Sequence, residues 1–303
     1  MYVILDNSMW KKVKHIIGLF IHFSKLKLRP AVFINKDATL MTNLKTFLVQ
    51  SSFFFYVYKL IINEKAASKL LKVKMKDGQV FRHSLNYYLP TKLYWDSYTD
   101  IFDSSSFSDI KSPIIVDLGA HQGFFCCRGA YLKRDAIFYC IEPDPINYSI
   151  LATNAKATFS KNIKCFNLAI GDQTSQVKFN VGPTSTTGST ENNVVSNQES
   201  ERSIMVEQLS FTDFLSQNDL EFIDYLKCDI EGGEYITFKS KELLLKVKYL
   251  MMELHAIEDT IPEDTELFKY INKNFDIKYY YPSSRYGNKL IELFGINKKL
   301  DSF

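Results

Sequence analysis

Short apolar, β-branched runs recur from residue 114 onward, separated by stretches of helical length. Strands are predicted at 114–118, 137–141, 163–168, 223–229 and 247–254, with helices between them, the pattern of βαβ units and a parallel sheet. Near the end, Ile277 to Tyr281 and Leu290 to Phe294 flank a turn at Tyr286-Gly287-Asn288 and predict an antiparallel pair. Between Val177 and Met205 the alternation breaks. Gln176 to Val181 and Ser203 to Gln208 read as paired strands around a hydroxyl-rich stretch, Gly182 to Thr190, and a polar one, Glu191 to Arg202. An inserted β-hairpin with a flexible tip is therefore expected after the third strand. Ligand crevices in open α/β sheets lie at strand C-terminal ends, so the insert would either cover a substrate, with Ser189 touching it, or stand clear as a surface loop.

Upstream the pattern differs. Helical segments are expected over 8–27 and 42–71, then a hairpin of Leu71 to Met75 and Gln79 to His83 across Asp77-Gly78, a strong two-residue turn signal. An aromatic helix or turn follows at 91–102, and Ser104, Ser105, Ser106 and Ser108 suggest a linker. The expected division is a basic helical extension at 1–70, a hairpin and aromatic linker region at 71–112, and an α/β domain at 113–303. Charge sharpens it: residues 1–70 hold 11 Lys/Arg against 3 Asp/Glu, the rest 26 against 31. Trp10 to Arg29 has cationic ends, an apolar centre and no acid, which suits a helix on an anionic membrane surface. That centre is too short to span a bilayer. A second run, Phe47 to Ile62, is interrupted by Gln50, Ser51, Ser52 and Lys59. The alternative is two helices packed on the α/β domain with their lysines in water. No small-residue cleavage site follows, so a signal peptide is not expected. With 303 residues the chain can bury a full α/β core. Its cysteines (Cys126, Cys127, Cys140, Cys165, Cys228) are odd in number and lack C-x-x-C spacing. Buried, reduced thiols in a cytoplasmic protein fit them better than a disulfide framework or a structural zinc site.

The chemistry centres on Ile114-Ile115-Val116-Asp117-Leu118-Gly119-Ala120-His121-Gln122-Gly123. A buried strand runs into an acid, and glycines follow in a turn that opens a helix. Glycine accepts positive φ, and its missing Cβ lets a ligand lie against the backbone. The helix start adds unpaired N–H groups. Asp117 would repel pyrophosphate and attract a cation, so a sulfonium nucleoside, S-adenosylmethionine, fits better than a dinucleotide, and the turn lacks G-x-G-x-x-G. A plain βα turn with a capping carboxylate would look similar. The second strand ends at Glu142-Pro143-Asp144-Pro145, which places an acid to bond ribose hydroxyls roughly 20 residues beyond the turn.

A further block, Lys227-Cys228-Asp229-Ile230-Glu231-Gly232-Gly233-Glu234, completes a series. Val116 to Gly123, Glu142 to Pro145, Asn154, Ala169-Ile170-Gly171, Leu209 to Leu215, Lys227 to Glu234 and Met252-Glu253-Leu254-His255 together resemble the FkbM-type S-adenosylmethionine-dependent methyltransferases, in family order over residues 73–296. Ser210 and Phe211 depart from the family's commoner Leu-Asp, and the first 70 residues fall outside the likeness. The resemblance implies a Rossmann-like α/β fold, a seven-stranded mostly parallel sheet with helices on both faces. It implies cofactor contacts from Asp117, Gly119, Ala120, Gly123, Glu142, Pro143, Asp144 and Ala169, and methylation of a hydroxyl on a sugar, glycan or related metabolite.

Lys227, Asp229 and Glu231 share one side while the chain stays extended, and Lys227 joins Asp229 among the candidate catalytic residues. Asp229 falls where such enzymes aim the acceptor and would orient or deprotonate its hydroxyl. His255 is the other candidate base, since imidazole titrates near neutrality. Asp229, Glu231, Glu234, Glu253 and His255 would alternatively hold a divalent cation such as Mg²⁺, although Glu231 and Glu234 also suit helix capping at Gly232-Gly233, and the metal-free arrangement is the one expected. A binding protein that keeps the fold without catalysis is disfavoured by intact Asp117, Gly119, Gly123 and Glu142. A nucleic-acid methyltransferase is disfavoured by the acidic catalytic region and the lack of an N-P-P-Y/F block.

Overall fold

The computed structural model describes residues 70–74, 79–84, 110–158, 161–181, 188–190, 202–256, 260–282 and 290–300. They fall in two units divided between Trp95 and Asp96. The segments 8–27, 47–62, 91–102 and the serine linker lie outside the described residues.

In the first unit, β1 (Leu70–Lys74) and β2 (Val80–Ser84) form the expected antiparallel hairpin. The helix expected to reach 71 instead gives way to strand at Leu70. Lys74 pairs with Val80, whereas a two-residue turn at Asp77-Gly78 would pair Met75 with Val80. The register thus sets a longer connection than the Asp-Gly signal indicated, as loop length and register are coupled in hairpins.

The second unit holds a seven-stranded sheet in the order β12-β13-β11-β10-β3-β4-β5. Its strands are β3 (Ile114–Leu118), β4 (Ile137–Ile141), β5 (Ile163–Phe166), β10 (Ile223–Cys228), β11 (Val247–His255), β12 (Phe275–Pro282) and β13 (Leu290–Asn297). Five run parallel, and β13 lies antiparallel to both β11 and β12, as the terminal pattern predicts. The order reverses beside β3, the switch point at which open α/β sheets form their crevice.

Strand alternation sorts two cores. Val116, Leu118, Ile141, Leu226, Cys228, Leu250 and Met252 belong to one buried cluster with Phe214 of α3 (Phe211–Gln217), whose ring meets Tyr139 and Phe166 edge-on. The other face carries Phe138 and Tyr225, which pack against Phe125 of α1 (Phe124–Leu132). Helices therefore cover both faces, the Rossmann-like α/β arrangement expected. α2 (Pro145–Ala157) connects β4 to β5, and α5 (Glu266–Asn274) precedes β12. α3 begins where Ser210 Oγ accepts from the Asp213 amide, so the departure from the family's usual Leu-Asp supplies an N-cap.

The insert builds its own four-stranded sheet, ordered β6-β9-β7-β8, from β6 (Ala169–Gly171), β7 (Ser175–Val181), β8 (Gly188–Thr190) and β9 (Arg202–Ser210). β7 and β9 pair antiparallel from Ser175/Gln208 to Val181/Arg202, as their alternation indicates. Two details differ from expectation. Gly188–Thr190, assigned to a flexible tip, is a strand paired with Phe179 to Val181. The run 163–168 is also not one strand: the Asn167 side-chain amide donates to the carbonyls of Glu142 and Pro143, and beyond it the chain joins the second sheet. Among the described residues no helix is long and apolar enough to cross a membrane.

Candidate active site

The glycine turn lies at the C-terminal end of β3, where Gly119, His121 and Gly123 all take positive φ, 77°, 51° and 82°. The amides of Gly119 and Ala120 both donate to the Ile141 carbonyl, which ties the turn to β4. Glycine is required at 119 chiefly by the protein itself: a Cβ there would sit 1.9 Å from the Asp229 carbonyl oxygen. At 123 a Cβ would meet the Leu151 side chain at 2.5 Å. Positive φ is the expected property of this turn, together with room for a ligand against the backbone; the missing Cβ atoms do more than that. They also let β10 and α2 close on the turn.

Glu142, at the end of β4, is 6% exposed, and both its oxygens are held by backbone. Oε2 accepts from the His121 amide at 2.8 Å and Oε1 from the Asp144 amide at 2.9 Å. Burial outweighs those bonds and pushes its carboxyl up to about 8. Pro143 follows it, and Asp144 caps α2 by accepting from the Ile146 amide. Asp144 also pairs with Arg202, so the first residue of β9 docks at the end of β4. Asn154 donates to the Gln122 carbonyl at 2.8 Å, and Gln122 donates to Asn147 at 3.1 Å. The motif asparagine therefore fastens α2 to the glycine turn. Ala169 opens β6, and its side chain packs with Val177, Phe179 and Val206 in the core of the second sheet.

Asp117 is fully buried and forms an ion pair with Lys227, whose Nζ lies 3.2 Å from Oδ1, while its Oδ2 is buried without a hydrogen-bond partner. Lys227 also donates to the Gly119 carbonyl at 3.3 Å. Burial raises the Asp117 carboxyl, with Lys227 opposing; burial alone would lower the lysine, but Asp117 and then Asp229 hold it above its usual value. The expected alternation of Lys227, Asp229 and Glu231 ends with β10 at Cys228. Glu231 and Gly232 take φ of 54° and 95°, so the chain is no longer extended there: Lys227 pairs with Asp117 under the turn, while Asp229 and Glu231 stay close to one another beyond the strand end.

Asp229 follows β10, its amide bonded to the Leu118 carbonyl and its Oδ1 buried without a hydrogen-bond partner. Glu234, at the start of α4 (Glu234–Thr237), accepts through Oε1 from the amides of Ile230 and Gly232, which is the capping role expected. His255, ending β11, lies between two acids: Nε2 is 3.4 Å from Glu231 Oε2 and Nδ1 is 3.4 Å from Glu234 Oε1. Burial alone would lower its pKa, but Glu234 and then Glu231 hold it well above the ordinary value. The two acids thus favour the protonated form of His255, which weakens its case as the base. The structure brings Asp229, Glu231 and His255 together, with one ligand atom from each within 4.8 Å of the others. Glu253 lies two strand positions earlier and outside that group. Sequence reasoning missed His121 and Glu231 as left-handed residues, and missed Asn147, Asn167 and Arg202. Only the non-glycine positive φ values mark strain there, and no residue pattern announces them.

All five cysteines are free. Burial pushes the Cys140 and Cys165 thiols up to about 12, which removes them from nucleophilic chemistry.

Similar solved structures include M. jannaschii TYW2 in complex with AdoMet (14% identity, 75% of this chain and 86% of that chain, TM-score 0.38). Others are a fibrillarin/NOP5P complex (14%, 67% and 83%, TM-score 0.39) and the human methyltransferase 10 domain containing protein (12%, 66% and 78%, TM-score 0.38). No curated protein matches the chain. The model of the methyltransferase FkbM domain matches residues 117–281, more than half of the 303 residues, from the glycine turn through β12. The chain belongs to the FkbM-domain methyltransferase family.

Proposed function

We propose that this protein is an S-adenosylmethionine-dependent O-methyltransferase acting on a hydroxyl of a sugar, glycan or related metabolite. Family membership supports the reaction class, and Asp229 is the observation that carries the residue assignment. Its carbonyl packs against Gly119, and its buried Oδ1 lacks a partner. An acceptor hydroxyl would supply that partner, since an unpaired buried acceptor costs about 1–3 kcal/mol. The cradle suits the cofactor: two amides hold the buried Glu142 carboxyl at the end of β4, next to the glycine turn, where it would accept from a ribose diol. When bound, S-adenosylmethionine supplies an electrophilic methyl group. Asp229 holds the acceptor hydroxyl in line and takes its proton at Oδ1, the work of a general base. His255, between Glu231 and Glu234, holds the Glu231 carboxylate near Asp229.

The test is Asp229→Asn. Turnover on a panel of sugar and glycan acceptors is expected to fall by about 10²–10⁴, the usual worth of a positioned base, while S-adenosylhomocysteine still binds. Retained turnover in the variant would refute the assignment.

One observation favours a second reading. Asp229, Glu231 and His255 offer a nitrogen and two oxygen ligands within 4.8 Å, a set that suits a divalent cation lowering the hydroxyl's pKa. The basic segment 1–70 further suits a peripheral site at an anionic, cytoplasmic membrane face, where a lipid-linked glycan would be presented. Equal binding of the full chain and of a chain lacking residues 1–40 to phosphatidylserine vesicles would count against that location.

A further inference from the structure

We infer that Lys227 is a positioning residue for the cofactor: it neutralises Asp117 beneath the glycine turn and holds the Gly119 carbonyl, so that Asp117 recognises Lys227 and not the cofactor's cationic groups. The inference rests on the proposed use of S-adenosylmethionine.

The pairing follows from register. β3 and β10 are parallel neighbours with Asp117 opposite Lys227, so the two side chains leave the sheet on one face, side by side. That is the α1 face: Cys140 is the next residue across in β4, and Asp117, Cys126 and Cys140 lie together under the helix. Neither member of the pair has a solvent route of consequence, with side chains 0% and 8% exposed. A cofactor ammonium or sulfonium reaching Asp117 would have to displace Lys227 and bury a second cation.

Lys227 acts on the turn directly. Gly119 is gripped from three sides: its amide donates to Ile141 of β4, its carbonyl accepts from Lys227, and its Cα packs against the Asp229 carbonyl. Withdrawing the ammonium frees one of these grips and leaves a buried carboxylate uncompensated. Removing one partner of a buried pair is costly, while exchanging both for apolar groups is often neutral. A carboxylate that itself touches the cofactor behaves differently, because the apolar exchange cannot restore the lost contact.

The experiment measures calorimetric affinity of the full chain for S-adenosylmethionine and S-adenosylhomocysteine, with thermal unfolding recorded for each variant. Lys227→Met and Asp117→Leu are each expected to weaken both ligands by at least about tenfold, and the double variant to return within about threefold of wild type. A double variant as weak as Asp117→Leu alone would overturn the inference, as would wild-type affinity in Lys227→Met. Asp117→Asn, close to isosteric, covers the case in which the double variant does not fold. It should weaken the sulfonium and thioether ligands by the same factor. A selective loss for S-adenosylmethionine would show that Asp117 addresses the sulfonium charge and would sink the idea. Failure of wild type to bind either ligand would overturn the proposed function as well, a result distinct from additive or ligand-selective losses.

Discussion

Glu142 should make cofactor binding depend on pH in a direction the structure specifies. Its carboxyl is raised from 4.5 to about 8, mainly by burial, with Asp144 adding to the rise and the amides of Asp144 and His121 opposing it. At pH 7 the ligand-free carboxyl is therefore ionised in roughly one molecule in ten. Ribose hydroxyls donating to it favour the ionised form, so binding expels a proton below pH 8 and none well above it. Affinity for S-adenosylhomocysteine should tighten by up to about tenfold per pH unit from 6 to 8 and then level off, a total of about 3 kcal/mol at most. Calorimetry at pH 6.5 in buffers of different ionisation enthalpy should report release of close to one proton. Glu142→Gln should bind weakly with no such slope. Affinity flat between pH 6 and 8 in wild type, or a slope that survives in Glu142→Gln, would refute the reasoning. The same shift has a sign for folding: a carboxyl raised in the folded state contributes stability below its unfolded value of 4.5, and that contribution is lost as pH rises through about 8.

Gly119→Ala should destabilise by about 2–5 kcal/mol in urea unfolding, since positive φ and a backbone clash at 1.9 Å add. Gly123→Ala meets a movable leucine methyl instead and should cost less; the reverse order would show that the β10 approach is not what requires glycine. Ser210→Ala should cost about 1 kcal/mol through loss of the α3 cap, read as a lower urea midpoint at unchanged slope. Chelation by EDTA should leave turnover unchanged if His255 serves as a charged member of the acid cluster. Turnover that collapses and returns with Mn²⁺ would establish the metal reading at Asp229, Glu231 and His255.

Much of this architecture was legible because strand periodicity and turn chemistry act locally. The runs at 114–118 and 137–141 end where expected, since Asp117-x-Gly and Glu142-Pro leave little choice. The insert's pairing was legible too, through the alternation of 176–181 and 203–208. Less visible was the switch at Asn167, because its bonds to Glu142 and Pro143 are tertiary and leave no periodic trace. The site divides in the same way. Residues meeting within one turn, such as Glu142 and Asp144, could be placed from spacing. Asp117 and Lys227 stand 110 positions apart, and only the β3–β10 register shows that they answer one another. Likewise His255 reads as a base from its unperturbed titration, until Glu231 and Glu234 arrive from another element and hold its proton.

That pattern bears on what motif residues report. Gly119 is required by the Asp229 carbonyl, Gly123 by Leu151, Asn154 by the Gln122 carbonyl, and Asp117 is occupied by Lys227. Each belongs to the motif series, yet each is engaged with protein, and their joint effect is to lock β3, β4, β10 and α2 around one turn. Glu142 and Asp229 differ in kind. Glu142 carries a buried carboxyl raised to about 8, and Asp229 a buried oxygen without a partner, conditions that cost free energy in the absence of a ligand. A fold does not keep such costs in its core without compensation elsewhere, so these two positions are where ligand hydroxyls are most expected. The division within the motif is one of charge compensation: Asp117 also keeps buried oxygens without a hydrogen-bond partner but is answered by the Lys227 ammonium, whereas the raised carboxyl of Glu142 and the unpartnered oxygen of Asp229 have no ion pair among the described residues.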